Sequence, residues 1–224
     1  MREITVICIA DMHGCTFPKI PPCDILLLAG DCTSAYLQPR DYEGHRRYMQ
    51  GPFTRWLDGL PARHCVAIAG NHDLLAEQDK EFFRALHWHY LEDESICLEG
   101  LIIHGSPWSA PFFDWAFMLD EDELEKKWAC IPDDCDILLT HSPPYGLGDV
   151  GAPGFNRDPH TGSPSLRKLV DEHKTLKLSV FGHIHEGYGQ GTLKNGATWV
   201  NATLLDGHYE VVHKPTLIKI QVPD

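Results

Sequence analysis

Short apolar runs, each broken at once by a glycine or a polar residue, constrain this chain more than any other feature. Ile4 to Ala10 and Ile25 to Gly30 are the longest of them, and both are strand-sized and far too short to cross a bilayer. The strand signals Ile4 to Ala10, Asp24 to Ala29 and Cys65 to Ala69 alternate with helix signals. The helix signals are an amphipathic stretch from about Asp41 to Leu60 and a short helix near Lys80 to Leu86. Such alternation argues for an α/β sheet with helices on its faces.

The second half continues with apolar segments at Ile96 to Leu98 and Leu101 to Ile103, an acidic-started helix from Asp120 to Ala129, and a buried strand at Asp136 to Thr140. Ser163 to Glu172 reads as a helix, with Ser163 as its cap and Pro164 at its first position. After Leu178 to Phe181 the pattern turns to strands alone: Ala197 to Val200, Tyr209 to Val212 and Leu217 to Val222. Both halves fit a four-layer αββα sandwich of two mixed sheets. No repeat, low-complexity tract or composition shift interrupts residues 1–224, so one domain is expected.

Charge then narrows the function. With 32 Asp plus Glu against 19 Lys plus Arg, the net charge is −13. That argues against binding long tracts of DNA or RNA, which depends on clustered cations. Small anionic substrates remain open, because a metal site reverses the sign locally. At 43% hydrophobic and 23% charged residues, the chain has the composition of a globular protein and needs no disulfide to fold. The eight cysteines form no CxxC, and several fall in strand-like runs. An Asp, a His and a Gly follow the first apolar run, where a signal peptide would carry small residues. A cytoplasmic protein without membrane contact is expected.

Five motifs carry chemistry: Asp11 and His13 (DxH), Gly30 and Asp31 (GD), Gly70 to Asp73 (GNHD), Thr140 and His141 (TH), and Gly182 to His185 (GHIH). Each follows an apolar strand, and ligands at strand C-terminal ends converge on one sheet edge. Singly these motifs are weak, since a lone DxH is commonly a turn with a solvated Asp. Their conjunction in order argues for a site.

These residues resemble the calcineurin-like metallophosphoesterase superfamily, whose pattern is DxH, GD, GNH[DE], a single His and GHxH. A closer resemblance is to the metallophosphoesterase-domain-containing family that includes the mammalian fetal-brain phosphodiesterases. It rests on IAGNHD at Ile68 to Asp73, HGSPW at His104 to Trp108, THSPP at Thr140 to Pro144, FGHIHEGYG at Phe181 to Gly189 and VNAT at Val200 to Thr203.

The resemblance implies two divalent metal ions, one on Asp11, His13, Asp31 and His185, the other on Asp31, Asn71, His141 and His183, with Asp31 bridging. A donor set of carboxylates, imidazoles and an amide, without thiolates, suits Mn²⁺ first, with Fe or Zn²⁺ as alternatives. The implied activity is hydrolysis of small phosphodiesters, cyclic nucleotides above all, by hydroxide held between the ions and attacking phosphorus in line. The alternatives are a phosphomonoesterase or protein phosphatase, or a non-catalytic metal-binding scaffold. By the same resemblance His72 protonates the leaving alkoxide and Asp73 orients it.

Weaker candidates surround this set. His104, at the end of a strand, is a substrate-facing residue or simply a bonded strand-end histidine. Trp108, Phe112, Phe113, Trp115 and Phe117 either stack a nucleobase or pack under a loop. Pro143 to Pro164 is a rim over the site or a connector, with Arg157 as its one phosphate-capable cation. His87 and His89 read as surface residues.

Overall fold

The computed structural model describes residues 1–151 and 158–223. Its strands are β1 (Arg2–Ile9), β2 (Cys23–Ala29), β3 (Ala62–Ile68), β4 (His89–Tyr90), β5 (Glu94–Leu98), β6 (Leu101–Ser106), β7 (Ile137–Thr140), β8 (Leu178–Phe181), β9 (Gly189–Thr192), β10 (Thr198–Asn201) and β11 (Thr216–Val222). One sheet has the order β11-β1-β2-β3-β4, the other β5-β6-β7-β8-β10-β9. In the first, β1 to β4 run parallel and β11 pairs antiparallel with β1, Ile4 opposite Ile220. In the second, β6, β7, β8 and β10 are parallel, and β5 and β9 are antiparallel edges.

The two sheets face each other across one core. Val6, Cys8, Ile25, Leu27, Val66 and Ile68 from the first meet Ile103, Ile137, Leu139 and Val180 from the second. On the first sheet's other face, Ile7, Ile9, Leu26 and Leu28 pack under Met49, Phe53, Leu57 and Phe83. Beyond the second sheet, Leu138 and Phe181 pack against Leu124, Trp128, Leu166 and Val170. The arrangement is the expected four-layer αββα sandwich. A strand covered on both faces must be apolar at consecutive positions, which is why β1 and β2 read as unbroken runs.

The helices are α1 (Tyr42–Tyr48), α2 (Thr54–Asp58), α3 (Leu74–Gln78), α4 (Lys80–Arg84), α5 (Glu121–Trp128) and α6 (Pro164–Glu172). Asp120 caps α5 by accepting from Glu123 N at 3.0 Å, and Ser163 caps α6 by accepting from Leu166 N at 3.1 Å. The stretch expected from Asp41 to Leu60 is not one α-helix, because a π-helical segment, Met49–Phe53, separates α1 from α2. Pro52 lies inside that segment and has no N–H for the ladder, and the Thr54 hydroxyl donates to the Met49 carbonyl at 2.6 Å.

Tyr209 to Val212, expected as a strand, is not one. The Asp206 carboxylate accepts from the N–H groups of His208 and Glu210, Tyr209 has a φ of 63°, and only Val211 makes a bridge, to Leu205. The polar Asp206 turn therefore overrides the β-prone Tyr-Glu-Val-Val pattern. His89 is half-buried on β4 rather than at the surface, whereas His87 is exposed and pairs with Asp58. All eight cysteines are free thiols. No helix among the described residues is long and apolar enough to cross a membrane.

Candidate metal centre

Five parallel strands deliver the motif residues to one place. Asp11 and His13 follow β1, Asp31 follows β2, and Asn71, His72 and Asp73 follow β3. His141 follows β7, and His183 and His185 follow β8. The two sheets are stitched together there, with Ala10 N donating to Ala202 O at 2.9 Å and Leu204 N to Ala10 O at 3.1 Å. Asp11, His13, Asp31 and His183 all adopt left-handed φ values of 47° to 70°, a conformation costly for non-glycine residues and concentrated at functional sites. Gly70 and Gly182 leave room for the carboxylates, since a Cβ on Gly70 would overlap Asp31 Oδ1 and one on Gly182 would overlap Asp11 Oδ2.

The donor atoms converge around Asp31. Its Oδ2 lies 3.4 Å from His13 Nε2 and 3.4 Å from His141 Nε2. Asn71 Oδ1 stands 2.9 Å from His141 Nε2 and 2.8 Å from His183 Nδ1, and His185 Nε2 is 3.8 Å from Asp11 Oδ1. Ligand atoms of Asp11, His13 and His185 lie within 4.8 Å of one another, as do those of Asp11, Asp31 and His141. Backbone carbonyls aim two of the rings: His141 Nδ1 meets Ala29 O at 2.8 Å and His185 Nδ1 meets Asp206 O at 3.0 Å, turning each Nε2 inward.

The donor set fits a cation. His13 is 1% exposed, yet neither ring nitrogen has a hydrogen-bond partner among the described residues. A buried imidazole left unpaired is costly unless something absent from the chain satisfies it. Burial holds His13 well below the usual histidine range despite the Asp31 charge, and takes His183 down to about 3, with His141 adding to the effect. Both rings therefore offer free lone pairs. Burial raises Asp31, but His141, His72 and His13 outweigh it and hold the carboxyl well below its usual range. Burial likewise pushes His141 down, yet Asp31 and then Asp11 lift it to about 9, so a cation binding there would displace a proton.

His72 lies at the edge of this cluster. Its ring offers a nitrogen within 4.8 Å of the ligand atoms of His13 and Asp31, closer to the set than expected for a residue outside it. The ring meets His13 edge-on at 4.7 Å between centroids and lies 4.1 Å from the indole of Trp115, tilted by 32°.

Asp73 is placed differently from expectation. Its buried carboxylate accepts three backbone N–H groups, from Thr33 at 2.8 Å, Gly70 at 2.8 Å and Cys32 at 3.3 Å, and makes no hydrogen bond to the His72 ring among the described contacts. Three backbone donors occupy its oxygens, so Asp73 joins the loops after β2 and β3 instead of steering the imidazole.

His104 is also separate from the cluster. Ile103 faces the core between the sheets, so its neighbour His104 faces outward beside its register partner Leu138, where Nδ1 meets Ser95 Oγ at 2.8 Å. The aromatic segment divides. Phe117 is buried, Trp108 packs on it and under Lys127, Phe112 and Phe113 are exposed, and Trp115 reaches the His72 ring. The candidate rim is tied to the β8 end, where Asn201 Nδ2 donates to Gly148 O at 2.8 Å and Ile184 O at 2.9 Å. Arg157 lies outside the described residues.

Tyr209 was not singled out by any motif, yet its ring lies 4.9 Å from that of His13 and 5.2 Å from that of His185. It is distant in sequence from both, and an isolated Tyr after a turn carries no ligand signal.

Residues 4–187 match the calcineurin-like phosphoesterase family. The chain belongs to that family. Among curated relatives of this phosphoesterase, human metallophosphoesterase domain-containing protein 1 is 33% identical over 97% of this chain and 71% of its own length. A 3′,5′-cyclic-nucleotide phosphodiesterase of Nostoc is 27% identical over 75% of this chain and 58% of its own. In fold, the phosphoesterase is similar to the phosphopantetheinyl hydrolase of Mycobacterium tuberculosis, with a TM-score of 0.54 at 15% identity, covering 98% of this chain and 96% of that one.

Proposed function

We propose that this chain is a binuclear metal-dependent phosphodiesterase that hydrolyses small phosphodiesters, with cyclic nucleotides as the preferred class. The observation that carries the reading is the position of Asp31 Oδ2, 3.4 Å from both His13 Nε2 and His141 Nε2. One carboxylate oxygen set between two donor groups suits a shared pair of cations. Asp11, His13, Asp31 and His185 form one group, and Asp31, Asn71, His141 and His183 the other. Two divalent ions bound there, Mn²⁺ before Fe or Zn²⁺, would supply an activated water and positive charge against the phosphoryl oxygens.

The chain supplies the remaining functions. Asp31 and Thr33 hold the His72 backbone, through His72 N to Asp31 Oδ1 at 2.8 Å and Thr33 Oγ1 to His72 O at 2.9 Å, while Trp115 holds the ring. His72 thus presents a proton donor for the leaving alkoxide. Two dications against the carboxylates of Asp11 and Asp31 leave about +2, which a hydroxide and a monoanionic diester would balance. The name of the Nostoc relative supports the cyclic-nucleotide class. The net charge of −13 supports a small-molecule substrate over long nucleic acid, and a cytoplasmic setting belongs to the same proposal.

The test compares bis-nitrophenyl phosphate, nitrophenyl phosphate, cyclic AMP isomers and a phosphopeptide at saturating Mn²⁺. Diesters, including at least one cyclic nucleotide, should show the higher kcat/KM. A monoester or phosphopeptide turned over about tenfold faster, worth about 1.4 kcal/mol in transition-state binding, would make the chain a phosphatase instead. Full metal loading without turnover would make it a scaffold.

A further inference from the structure

One aromatic side chain at the candidate metal centre sits on a backbone that disfavours it. Tyr209 has a left-handed φ of 63°, which glycine or asparagine adopts more readily than a residue with a ring. Strain of this kind persists only where the surroundings over-determine it. They do so here: Tyr209 N donates to Asp206 O at 2.9 Å, and the Asp206 carboxylate accepts from His208 N at 2.9 Å and Glu210 N at 3.0 Å. The Asp206 carbonyl also meets His185 Nδ1 at 3.0 Å, so one carbonyl both aims a proposed ligand and anchors Tyr209 beside it.

The ring covers one half of the centre. Its centroid lies 4.9 Å from that of His13 and 5.2 Å from that of His185, and those two imidazoles are 5.2 Å apart. No ring contact among the described residues joins Tyr209 to His141 or His183, which meet each other at 5.0 Å. Tyr209 is 40% exposed, whereas His13 is 1% and His185 8% exposed. A cavity of about 490 Å³ beside the centre is lined by His72 and Tyr209 among others, but by none of Asp11, His13, Asp31 and His185. Tyr209 and His72, each packed on the His13 ring, therefore form the wall between that cavity and His13.

We propose that Tyr209 seals the group formed by Asp11, His13, Asp31 and His185, and so sets how slowly a bound cation leaves it. The inference rests on the binuclear reading for the cation itself and adds a kinetic difference between its two halves. A cation leaves by exchanging protein donors for water, and a ring packed on two of those donors keeps water from them. Tyr209 acts through the two imidazoles, as a positioning residue.

Release of Mn²⁺ from the fully loaded protein into excess EDTA, followed by metal analysis of desalted samples, tests this without any substrate. Tyr209→Ala should speed the release of one ion of the two by about 10- to 100-fold and leave the other within about twofold. Tyr209→Phe, which keeps the ring, should restore the slow release. Tyr209→Gly, which suits the left-handed turn but has no ring, should release as fast as Tyr209→Ala. His13→Ala should lack the ion whose release Tyr209 controls.

Slow release from Tyr209→Gly overturns the proposal, as does fast release from Tyr209→Phe. Equal acceleration of both ions would report a loosened fold and overturns it too. The stoichiometry of the wild-type protein separates the two readings. One ion or none removes the binuclear reading and the seal with it, whereas two ions whose release is indifferent to Tyr209 remove the seal alone.

Discussion

Asp31 Oδ1 accepts the backbone N–H of His72 at 2.8 Å, which leaves Oδ2 to face His13 and His141. One carboxylate thereby fixes the chain path of the proposed acid and occupies the point shared by both proposed ligand groups. Asp31→Asn keeps an oxygen for the His72 N–H, so the fold should persist, but removes the charge from both groups. Activity should fall by more than about 10³-fold and both metals should bind less tightly. His13→Ala, which removes a proposed ligand of one group only, should leave the other partly occupied. Metal analysis beside activity on chelated and reconstituted protein checks this, and full activity in the chelated enzyme would contradict it.

His72 should behave as an acid rather than as an indispensable ligand. His72→Ala is expected to retain both metals and lose about 10²- to 10⁴-fold in rate on a diester with a poor alkoxide leaving group. A nitrophenolate departs without protonation, so the loss on bis-nitrophenyl phosphate should be smaller. The close approach of the ring to His13 and Asp31 makes the alternative concrete. Equal losses on both substrates, accompanied by loss of one metal, would show that His72 serves the metal shell.

Asp73 should matter through the backbone it holds. Asp73→Ala strands the N–H groups of Cys32, Thr33 and Gly70 in a buried site and is expected to cost about 3–5 kcal/mol of stability. Asp73→Asn, which keeps one accepting oxygen, should cost less. Urea denaturation of the two variants measures the difference. An unchanged midpoint for Asp73→Ala would show that water reaches those groups.

Much of this architecture was legible because the same residues served two purposes. In β1, β2, β3, β7 and β8 the doubly covered C-terminal part is mainly apolar, and the motif residues begin where that cover ends. The αββα layering and the convergence of Asp11, His13, Asp31, Asn71, His141, His183 and His185 followed from those junctions. Elements with little hydrophobic signal were not legible: β4 has two residues, and β9 reads Gly-Gln-Gly-Thr. Contacts across the fold were equally hidden, as with Tyr209 against His13. Adjacency of Asp73 to His72 in sequence says nothing about which donors its oxygens meet, and they meet three backbone N–H groups.

The turn between β5 and β6 shows how the two sheets are fastened at the end opposite the site, and it responds to pH. Leu98 pairs with Leu101, so Glu99 and Gly100 form a two-residue loop with φ values of 53° and 80°, the conformation of a type I′ hairpin. From that tip the Glu99 carboxylate reaches the first sheet, accepting from Arg63 at 2.8 Å and Arg2 at 2.6 Å and lying 3.2 Å from His64 Nε2. Arg63 and then Arg2 outweigh burial and bring its carboxyl down to about 2, from an ordinary 4.5. A carboxyl depressed by folding stabilises fully above its unfolded value, and that contribution is lost as pH falls from 4.5 through 2. Both arginines are about half exposed, so solvent screening reduces the effect, and Glu99→Gln should cost about 1–2 kcal/mol at pH 7. Denaturant melts of the two proteins between pH 7 and pH 2 should show that gap closing toward zero. A gap that stays constant to pH 2 would mean that Glu99 holds the sheets by shape and hydrogen bonding, with its charge contributing nothing.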